Sequence, residues 1–278
     1  FEIFKTILEN NGQINCLVVK NGADKFSRKD LDKNQEFVRI YGAKALSYLK
    51  YSNHEFSGSI NKVISDEEKV LLKDQLNLDE NDMVLIVADK KSVSLSALGA
   101  LRVKLGKELN LIDENQFKFL WVTNFPMFEY SEDEGRWMAA HHPFTSPNLE
   151  DVDKLMTDPE NCYSRAYDLV LNGYELLSGS IRIHDQELQK KVFTAIGMSM
   201  EEAKEKFGFF IDAFRYGTPP HGGVGIGLER LVMILAGTDN IRDVVAFPKT
   251  ASASDLMSEA PNTVDEKQLR ELHIKTYE

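Results

Sequence analysis

The sequence Gly222-Gly-Val-Gly-Ile-Gly-Leu-Glu-Arg-Leu-Val-Met-Ile-Leu-Ala-Gly237 is the most informative part of this chain. Glycines alternate over residues 223–227, and alternate residues of a strand point to one face. A strand with this pattern would leave a bare strip of backbone on that face. A helix is predicted over residues 228–236, and Gly237 is a residue favoured just past a helix end.

Arg230 lies in the first turn of this predicted helix, next to the bare strip. A planar guanidinium placed there can stack on a flat ring or bind a phosphate through two N–H groups. A purely structural interpretation also accounts for this pattern: the glycines permit close packing of the strand on the helix, and Arg230 forms an internal ion pair.

The composition is that of an ordinary folded protein, and 278 residues are enough for two domains. The formal charge of −11 argues against binding of nucleic acid over the whole surface, because phosphate contacts need clustered lysine and arginine. No apolar run approaches the roughly 20 residues of a membrane span, and no signal peptide is evident, so we expect a soluble, cytoplasmic protein. Cys16 and Cys162 lack metal-site spacing and are expected to be unpaired thiols.

The amino-terminal part alternates between strand and helix patterns. Strands are predicted over 14–19, 45–51 and 83–88, and helices over 27–42, 66–76 and 94–109. Ser65 and Glu68 are spaced as a capping box, in which each side chain binds a free backbone N–H of the other residue. Three such units in about 100 residues predict a compact α/β domain, which we assign to residues 1–113.

Residues 114–278 have a different pattern. Aromatic-rich strands are predicted over 117–123, 127–130 and 136–140, in an antiparallel sheet, and helices over 186–196, 200–207 and 228–236. Asn172-Gly173 between two apolar runs predicts a hairpin with a two-residue turn. The predicted fold class is α+β: a compact α/β domain followed by an antiparallel-sheet domain with flanking helices.

Two carboxylates are expected to meet on this hairpin. With a two-residue turn, Asp168 and Glu175 point to the same face and lie diagonally across from each other. Paired carboxylates on a rigid sheet suit a magnesium ion bound to phosphates, because this hard cation prefers oxygen ligands. The alternative is a solvated sheet face with ordinary charges, and spacing alone does not decide between them.

The side on which Arg182 points depends on a bulge. Arg182 lies seven residues beyond Glu175, so in an unbroken strand the two face opposite sides. A bulge within Ser178-Gly179-Ser180 would bring Arg182 into the same pocket, where its fork can hold a carboxylate. Without a bulge, Arg182 is a surface residue.

Two adjacent histidines, His141 and His142, end a predicted strand. Neighbouring strand residues point to opposite faces, which argues against joint ligation of a metal. A structural or hydrogen-bonding role is favoured from spacing alone.

The motifs resemble those of a known family. Gly225-Ile-Gly-Leu-Glu229-Arg230 before an apolar helix resembles motif 3 of class II aminoacyl-tRNA synthetases. Stretches that resemble the bacterial aspartyl-tRNA synthetases in particular are Phe119-Leu-Trp-Val-Thr-Asn-Phe-Pro-Met-Phe-Glu129, His141-His-Pro-Phe-Thr-Ser-Pro147, Asn172-Gly-Tyr-Glu175, Gly179-Ser-Ile-Arg-Ile-His184, Tyr216-Gly-Thr-Pro-Pro-His221 and Thr238-Asp-Asn-Ile-Arg-Asp243. Residues 37–46 and 97–106 resemble the GAD-like α/β domain inserted into those enzymes, so the resemblance covers essentially the whole chain.

The resemblance implies that ATP binds bent over the antiparallel sheet. Arg230 would then stack on adenine and approach the terminal phosphates, and Gly227, Leu228 and Glu229 would line the same ATP site.

It also implies roles for the remaining candidates. Glu175, with Asp168 beside it, would hold Mg²⁺ and ATP. Arg182 would bind the side-chain carboxylate of L-aspartate, a task that suits a planar fork better than a lysine. His141 would close over the amino acid from a mobile loop.

The implied reaction is formation of aspartyl-adenylate from aspartate and ATP, followed by acyl transfer to tRNA(Asp). Such a site works by positioning and charge neutralisation more than by a protein nucleophile. The resemblance leaves tRNA(Asn) open as a second acceptor and implies a homodimer for the full-length protein.

The chain departs from the family pattern in places. Leu177-Ser178 stand where the family has glycines, and Asn124 replaces an acidic residue. We find no anticodon-binding barrel, no motif 1 and no motif 2, so we expect the carboxy-terminal part of a synthetase, with little or no activity by itself. One alternative is a stand-alone, non-catalytic synthetase-like binding or regulatory protein, which the retained Glu175, Arg182 and Arg230 disfavour. Another is an amino-acid-activating enzyme without tRNA, which the inserted domain disfavours.

Overall fold

The computed structural model describes residues 2–277. The chain divides into two compact units, Phe1–Asn115 and Gln116–Glu278, whereas the sequence placed a boundary at 113/114. The elements of the first unit are α1 (Glu2–Glu9), β1 (Gln13–Val19), α2 (Arg28–Ile40), β2 (Ser47–Ser52), β3 (Glu55–Gly58), α3 (Asp66–Gln75), β4 (Asp82–Asp89) and α4 (Lys91–Glu108).

The sheet of the first unit is antiparallel throughout, with the strand order β1-β4-β2-β3. Alternating strands and helices are typical of parallel sheets, but here the short strand β3, which the sequence did not predict, returns the chain as a hairpin. Alternate residues of β4 pack into two different cores, Met83 and Leu85 in one and Val84 and Ile86 in the other. Because β4 is buried on both faces, its sequence is almost continuously apolar.

Two helices of this unit begin with a side-chain cap, and a third, α4, has Lys90 as its N-cap residue without one. Ser27 caps α2, and Ser65 caps α3 in a capping box with Glu68, as expected. Gly42, just beyond α2, has a positive φ of 86°, which is typical of a residue past a helix end.

The second unit contains two separate sheets. Its elements are β5 (Phe119–Thr123), β6 (Phe128–Ser131), β7 (Arg136–Ala139), β8 (Ala166–Leu171), β9 (Tyr174–Ile181), α5 (Gln186–Ala195), α6 (Met200–Ala213), β10 (Gly222–Ile226), α7 (Leu228–Leu235) and α8 (Glu266–Glu271). The main sheet is antiparallel with the order β10-β9-β8-β5, whereas β6 and β7 pair only with each other. The prediction that all these strands share one sheet is therefore wrong for β6 and β7.

The β8–β9 hairpin has the predicted turn. Asn172 and Gly173 have φ values of 50° and 85°, the left-handed pair that a two-residue type I′ turn requires. A separate core, which includes Phe193 of α5, Ala203 of α6 and Phe128 of β6, also buries Ile183, just beyond β9. The residue before Ile183, Arg182, is therefore held by a rigid neighbour.

The outer strands of the main sheet carry exposed apolar side chains. Phe119 and Trp121 of β5 are each 59% exposed, and Ile226 of β10 is 60% exposed. None of the helices within residues 2–277 is both long enough and apolar enough to cross a membrane.

Candidate active site

A bulge in β9 determines the geometry of the site. Val170 pairs with Glu175 as predicted, but the next pair is Leu169 with Leu177, so Leu176 is the extra residue. The bulge is thus at Leu176 and not in residues 178–180, where the sequence placed it. Leu176 is only 7% exposed, and its carbonyl accepts a hydrogen bond of 2.9 Å from the N–H of Gly227. Side-chain burial and this long-range hydrogen bond select the bulge position.

The bulge brings the charged candidates to one face. Asp168 pairs with Ser178, and Ser178 pairs in turn with Gly225. Directly opposed residues share a face, and alternation along β9 carries the same face from Ser178 to Ser180. Arg182 is the first residue beyond β9, and it lies on this face if the alternation continues by one residue through its isolated antiparallel bridge with Thr145. On the other side of the bulge, Glu175 faces the same way because it pairs with Val170, two residues from Asp168.

The glycines of β10 form the predicted bare strip on this face. A Cβ atom added at Gly223 would have no atom within 4 Å, and one added at Gly225 would be 3.9 Å from the nearest atom. Gly179 serves another purpose: an added Cβ there would overlap the carbonyl oxygen of Gly223, so glycine is needed for β9 and β10 to approach. The strip is therefore open at Gly223 and Gly225.

Arg230 lies at the end of the strip and already has a partner. Its Nη1 donates to the carbonyl oxygen of Glu175 at 2.7 Å and to Glu175 Oε1 at 3.2 Å. The internal ion pair considered from the sequence is therefore present. Both side chains are nearly half exposed, and ion pairs of this kind contribute only about 0–1 kcal/mol. A phosphate group can displace such a contact at small cost.

The first turn of α7 is close to this pair. Gly227 is the N-cap residue, Leu228 is 62% exposed and Glu229 is exposed. These side chains leave the helix start accessible beside the bare strip, where the family resemblance places the nucleotide.

Asp168 has an unusual environment. Its Oδ1 atom is buried, and no residue from 2 to 277 supplies a hydrogen bond to it. A buried carboxylate oxygen without a partner is energetically costly, which indicates a ligand for it. Across the described residues, no three His, Cys, Asp or Glu side chains are grouped to hold a metal ion. Mg²⁺ usually binds one or two protein carboxylates and takes its other ligands from water and phosphate, so Asp168 and Glu175 could hold this ion without a third protein ligand.

Arg182 is half-buried and has no acidic partner in the part of the chain that the structure describes. Its backbone N–H donates to the carbonyl of His221 at 3.0 Å, and burial lowers the pKa of its guanidinium. Within residues 2–277, no carboxylate lies at salt-bridge distance from the side chain, which contacts His142 instead. A desolvated positive charge without a counterion is suited to bind an anion.

The histidine in contact with Arg182 is His142, not His141. Arg182 Nη1 lies 3.1 Å from His142 Nδ1 and still closer to Nε2. Burial, and then the positive charges of Arg182 and His141, lower the pKa of His142 to about 4, so its ring is neutral at neutral pH. His141 is exposed, and its ring packs edge-on against Phe125 at a centroid distance of 5.0 Å.

Several buried polar residues near Arg182 were not predicted from the sequence. Thr145 and Ser180 are 1% and 3% exposed, and Thr145 Oγ1 lies 3.4 Å from Ser180 Oγ. Ser180 was predictable in principle: if the strand is taken to continue to Arg182, Ser180 lies two residues before it and points to the same face. Residues 141–147 form a segment that we call the histidine loop. Gln189 of α5 had no signal in the sequence, because its contact with Pro143 of this loop is formed only in the tertiary structure.

Known proteins resemble this chain over nearly all its length. Residues 2–251 match the profile of the family described as tRNA synthetases class II (D, K and N). The chain is 55% identical to an aspartate–tRNA ligase of Macrococcus caseolyticus and 54% identical to an aspartate–tRNA(Asp/Asn) ligase of Anoxybacillus flavithermus. Each alignment covers 99% of this chain and 46% of the relative, so the chain spans about half the length of the curated relatives it matches.

A solved structure, the aspartyl tRNA synthetase from Entamoeba histolytica, is 32% identical and covers 55% of this chain and 26% of its own. Its TM-score of 0.38 is too low for a comparison of geometry. The profile match and the sequence identities carry the assignment: this chain belongs to the class II tRNA synthetases of the D, K and N family.

Proposed function

We propose that this chain forms the carboxy-terminal half of an aspartate–tRNA ligase, which activates L-aspartate with ATP and transfers it to tRNA(Asp). The observation that carries the proposal is the shared face of Asp168, Glu175 and Arg182 beside the bare strip of β10. The relatives at 54–55% identity are named as aspartate–tRNA ligases, which disfavours a stand-alone binding protein.

Arg182 is the proposed binding group for the side-chain carboxylate of aspartate. Its guanidinium is half-buried and has no acidic neighbour among residues 2–277, so an aspartate carboxylate would supply the missing negative charge. The neutral ring of His142 beside it adds no competing charge. Asparagine, which has a neutral amide, would leave the guanidinium unpaired, so the same contact favours aspartate.

The bare strip of β10 is the proposed surface for adenine. Arg230 lies next to the end of the strip, where its Cδ would be 3.5 Å from a Cβ added at Gly227. Once its weak pair with Glu175 opens, Arg230 would cover a ring on the strip and bind the phosphates. Gly227, Leu228 and Glu229 would line the same nucleotide site. Asp168 and Glu175 would hold Mg²⁺, which when bound would neutralise charge on the phosphates.

In the proposed first step, an oxygen of the aspartate α-carboxylate attacks the α-phosphorus of ATP. The new C–O–P bond forms as the bond from the α-phosphorus to the bridging oxygen breaks, and pyrophosphate leaves with the electron pair. In the second step, the terminal ribose hydroxyl of tRNA attacks the aspartyl carbonyl carbon, loses its proton and displaces AMP. The residues of this chain contribute by holding both substrates in register and by neutralising charge.

The acceptor and the assembly belong to the whole protein. We propose tRNA(Asp) as the acceptor, with tRNA(Asn) as a second acceptor to be tested, because relatives of nearly equal identity are named for aspartate alone or for both. We propose a homodimer for the full-length protein on family resemblance.

Aspartate-dependent exchange between ATP and pyrophosphate tests the proposal. The full-length protein should catalyse exchange, Arg230→Ala should abolish it, and residues 1–278 alone should be inactive. Exchange that depends on another amino acid would overturn the substrate assignment. Exchange by residues 1–278 alone at the full-length rate would show that the chain is a complete activating enzyme.

A further inference from the structure

Gln189 makes an isolated polar contact beneath the site. This residue of α5 is 3% exposed, and its Nε2 donates a hydrogen bond of 2.7 Å to the carbonyl of Pro143. Its Oε1 is buried and has no partner in the described part of the chain. A buried amide with an unpaired oxygen costs stability. A role other than stability would explain glutamine at this position, and the hydrogen bond to Pro143 suggests what that role is.

Pro143 lies in the loop that holds His142 against Arg182. On one side of Pro143, the Phe144 N–H donates to His142 Nδ1 at 3.2 Å, and the Phe144 carbonyl accepts from the Ile183 N–H at 2.9 Å. Proline has no N–H of its own, so its carbonyl is the only backbone group through which it can be anchored. Gln189 supplies that anchor.

We propose that Gln189 is a positioning residue for aspartate binding: it fixes the Pro143 carbonyl, and thereby the His142 ring, so that Arg182 presents its guanidinium fork to the substrate. The inference deepens the proposed function and rests on it for the identity of the ligand. Gln189 itself touches neither substrate.

The same helix offers a control glutamine, Gln186, which is exposed whereas Gln189 is buried. Gln186 and Gln189 both line a small cavity of about 30 Å³. Gln186 Nε2 also donates to a backbone carbonyl, that of Phe214 at 3.1 Å, but Phe214 lies outside the histidine loop. Replacing either glutamine by methionine removes one side-chain hydrogen bond from the same cavity wall with little change in volume.

The test is binding of aspartate and of ATP to full-length protein, measured separately by calorimetry. Gln189→Met should weaken aspartate binding roughly tenfold, since loss of the hydrogen bond to the partly buried Pro143 carbonyl costs about that factor, and should leave the Kd for ATP unchanged. Gln186→Met should change neither Kd by more than about twofold. If both variants weakened aspartate binding equally, Gln189 would have only a structural role. The same would follow if Gln189→Met weakened the binding of both aspartate and ATP.

A second readout separates this inference from the proposed function. In residues 1–278, NMR titration should place the pKa of His142 at about 4 in the original sequence. In Gln189→Met it should move toward the ordinary value of about 6.5, because a released ring loses its burial and also its contact with the positive charge of Arg182, and in Gln186→Met it should not. An unchanged His142 pKa in Gln189→Met would refute the positioning role, whether or not aspartate is the ligand. If Gln189→Met fails to fold, Gln189→Asn, one methylene shorter, replaces it in both experiments.

Discussion

Replacing Arg182 by lysine keeps the positive charge at the proposed aspartate site but removes the planar fork. A guanidinium donates two parallel N–H groups to a carboxylate, whereas an ammonium acts as a point charge. The backbone of the residue is held on both sides, by the hydrogen bond to the His221 carbonyl and by the buried Ile183. The substitution therefore changes the head group while the strand stays in place.

The expected loss follows from the environment of Arg182. The guanidinium is half-buried and has no carboxylate neighbour among residues 2–277, so in the proposed complex aspartate would supply all of its counter-charge. Losing one of two hydrogen bonds between charged groups costs about 1.5–3 kcal/mol, or roughly 10- to 150-fold in Kd. Binding of ATP should not change, because Arg182 is assigned to the amino acid.

Calorimetry on full-length protein measures both affinities. Arg165→Lys, the same change at an exposed position just before β8, is the control and should leave both Kd values unaltered. A Kd for aspartate within about twofold of the original, in the Arg182→Lys protein, would refute the idea that the fork binds the substrate carboxylate.

Three further outcomes are expected. Asp168→Asn should stabilise residues 1–278 by about 1 kcal/mol in chemical denaturation, because a neutral amide replaces a carboxylate that has a buried, unpartnered oxygen. The same substitution should lower ATP–pyrophosphate exchange by the full-length protein. A destabilised variant would contradict this prediction. The folded-state pKa of His142, about 4, lies below its ordinary value of about 6.5, so the unfolded chain takes up this proton first as the pH falls. The contribution of the neutral His142 ring to the free energy of unfolding is thus complete above about pH 6.5 and is lost as the pH falls toward about 4. His142→Asn should therefore flatten the pH dependence of stability between about pH 6.5 and 4. Identical profiles for the variant and the original protein would count against this prediction. Limited proteolysis of residues 1–278 should degrade 116–278 before 1–115, because β5 and β10 are outer strands with exposed apolar side chains, and equal rates would oppose this prediction.

Features that depend on neighbouring residues were predictable from the sequence. The capping box of Ser65 and Glu68 and the Asn172-Gly173 turn involve residues at most three positions apart. The bare strip of β10 also follows from local alternation of glycine. Each of these patterns has the same chemical meaning in any fold, which is why sequence inspection found them.

Features that depend on distant partners were not predictable. The strand order β1-β4-β2-β3 and the separation of β6 and β7 from the main sheet arise from pairing between remote segments. The choice of His142 over His141 as the neighbour of Arg182 depends on how the histidine loop packs against β9 and α5.

The sequence by itself determined the chemistry that this chain can offer: two carboxylates, a guanidinium fork and a strip of bare backbone at the start of a helix. It also showed that a bulge had to exist if Glu175 and Arg182 were to face the same way. Only the tertiary structure decided where that bulge lies, because the unpaired residue is chosen by burial of Leu176 and by its hydrogen bond with Gly227, 51 positions away. Contacts at such separations form only when the sheet assembles, and they turn a set of candidate residues into one site.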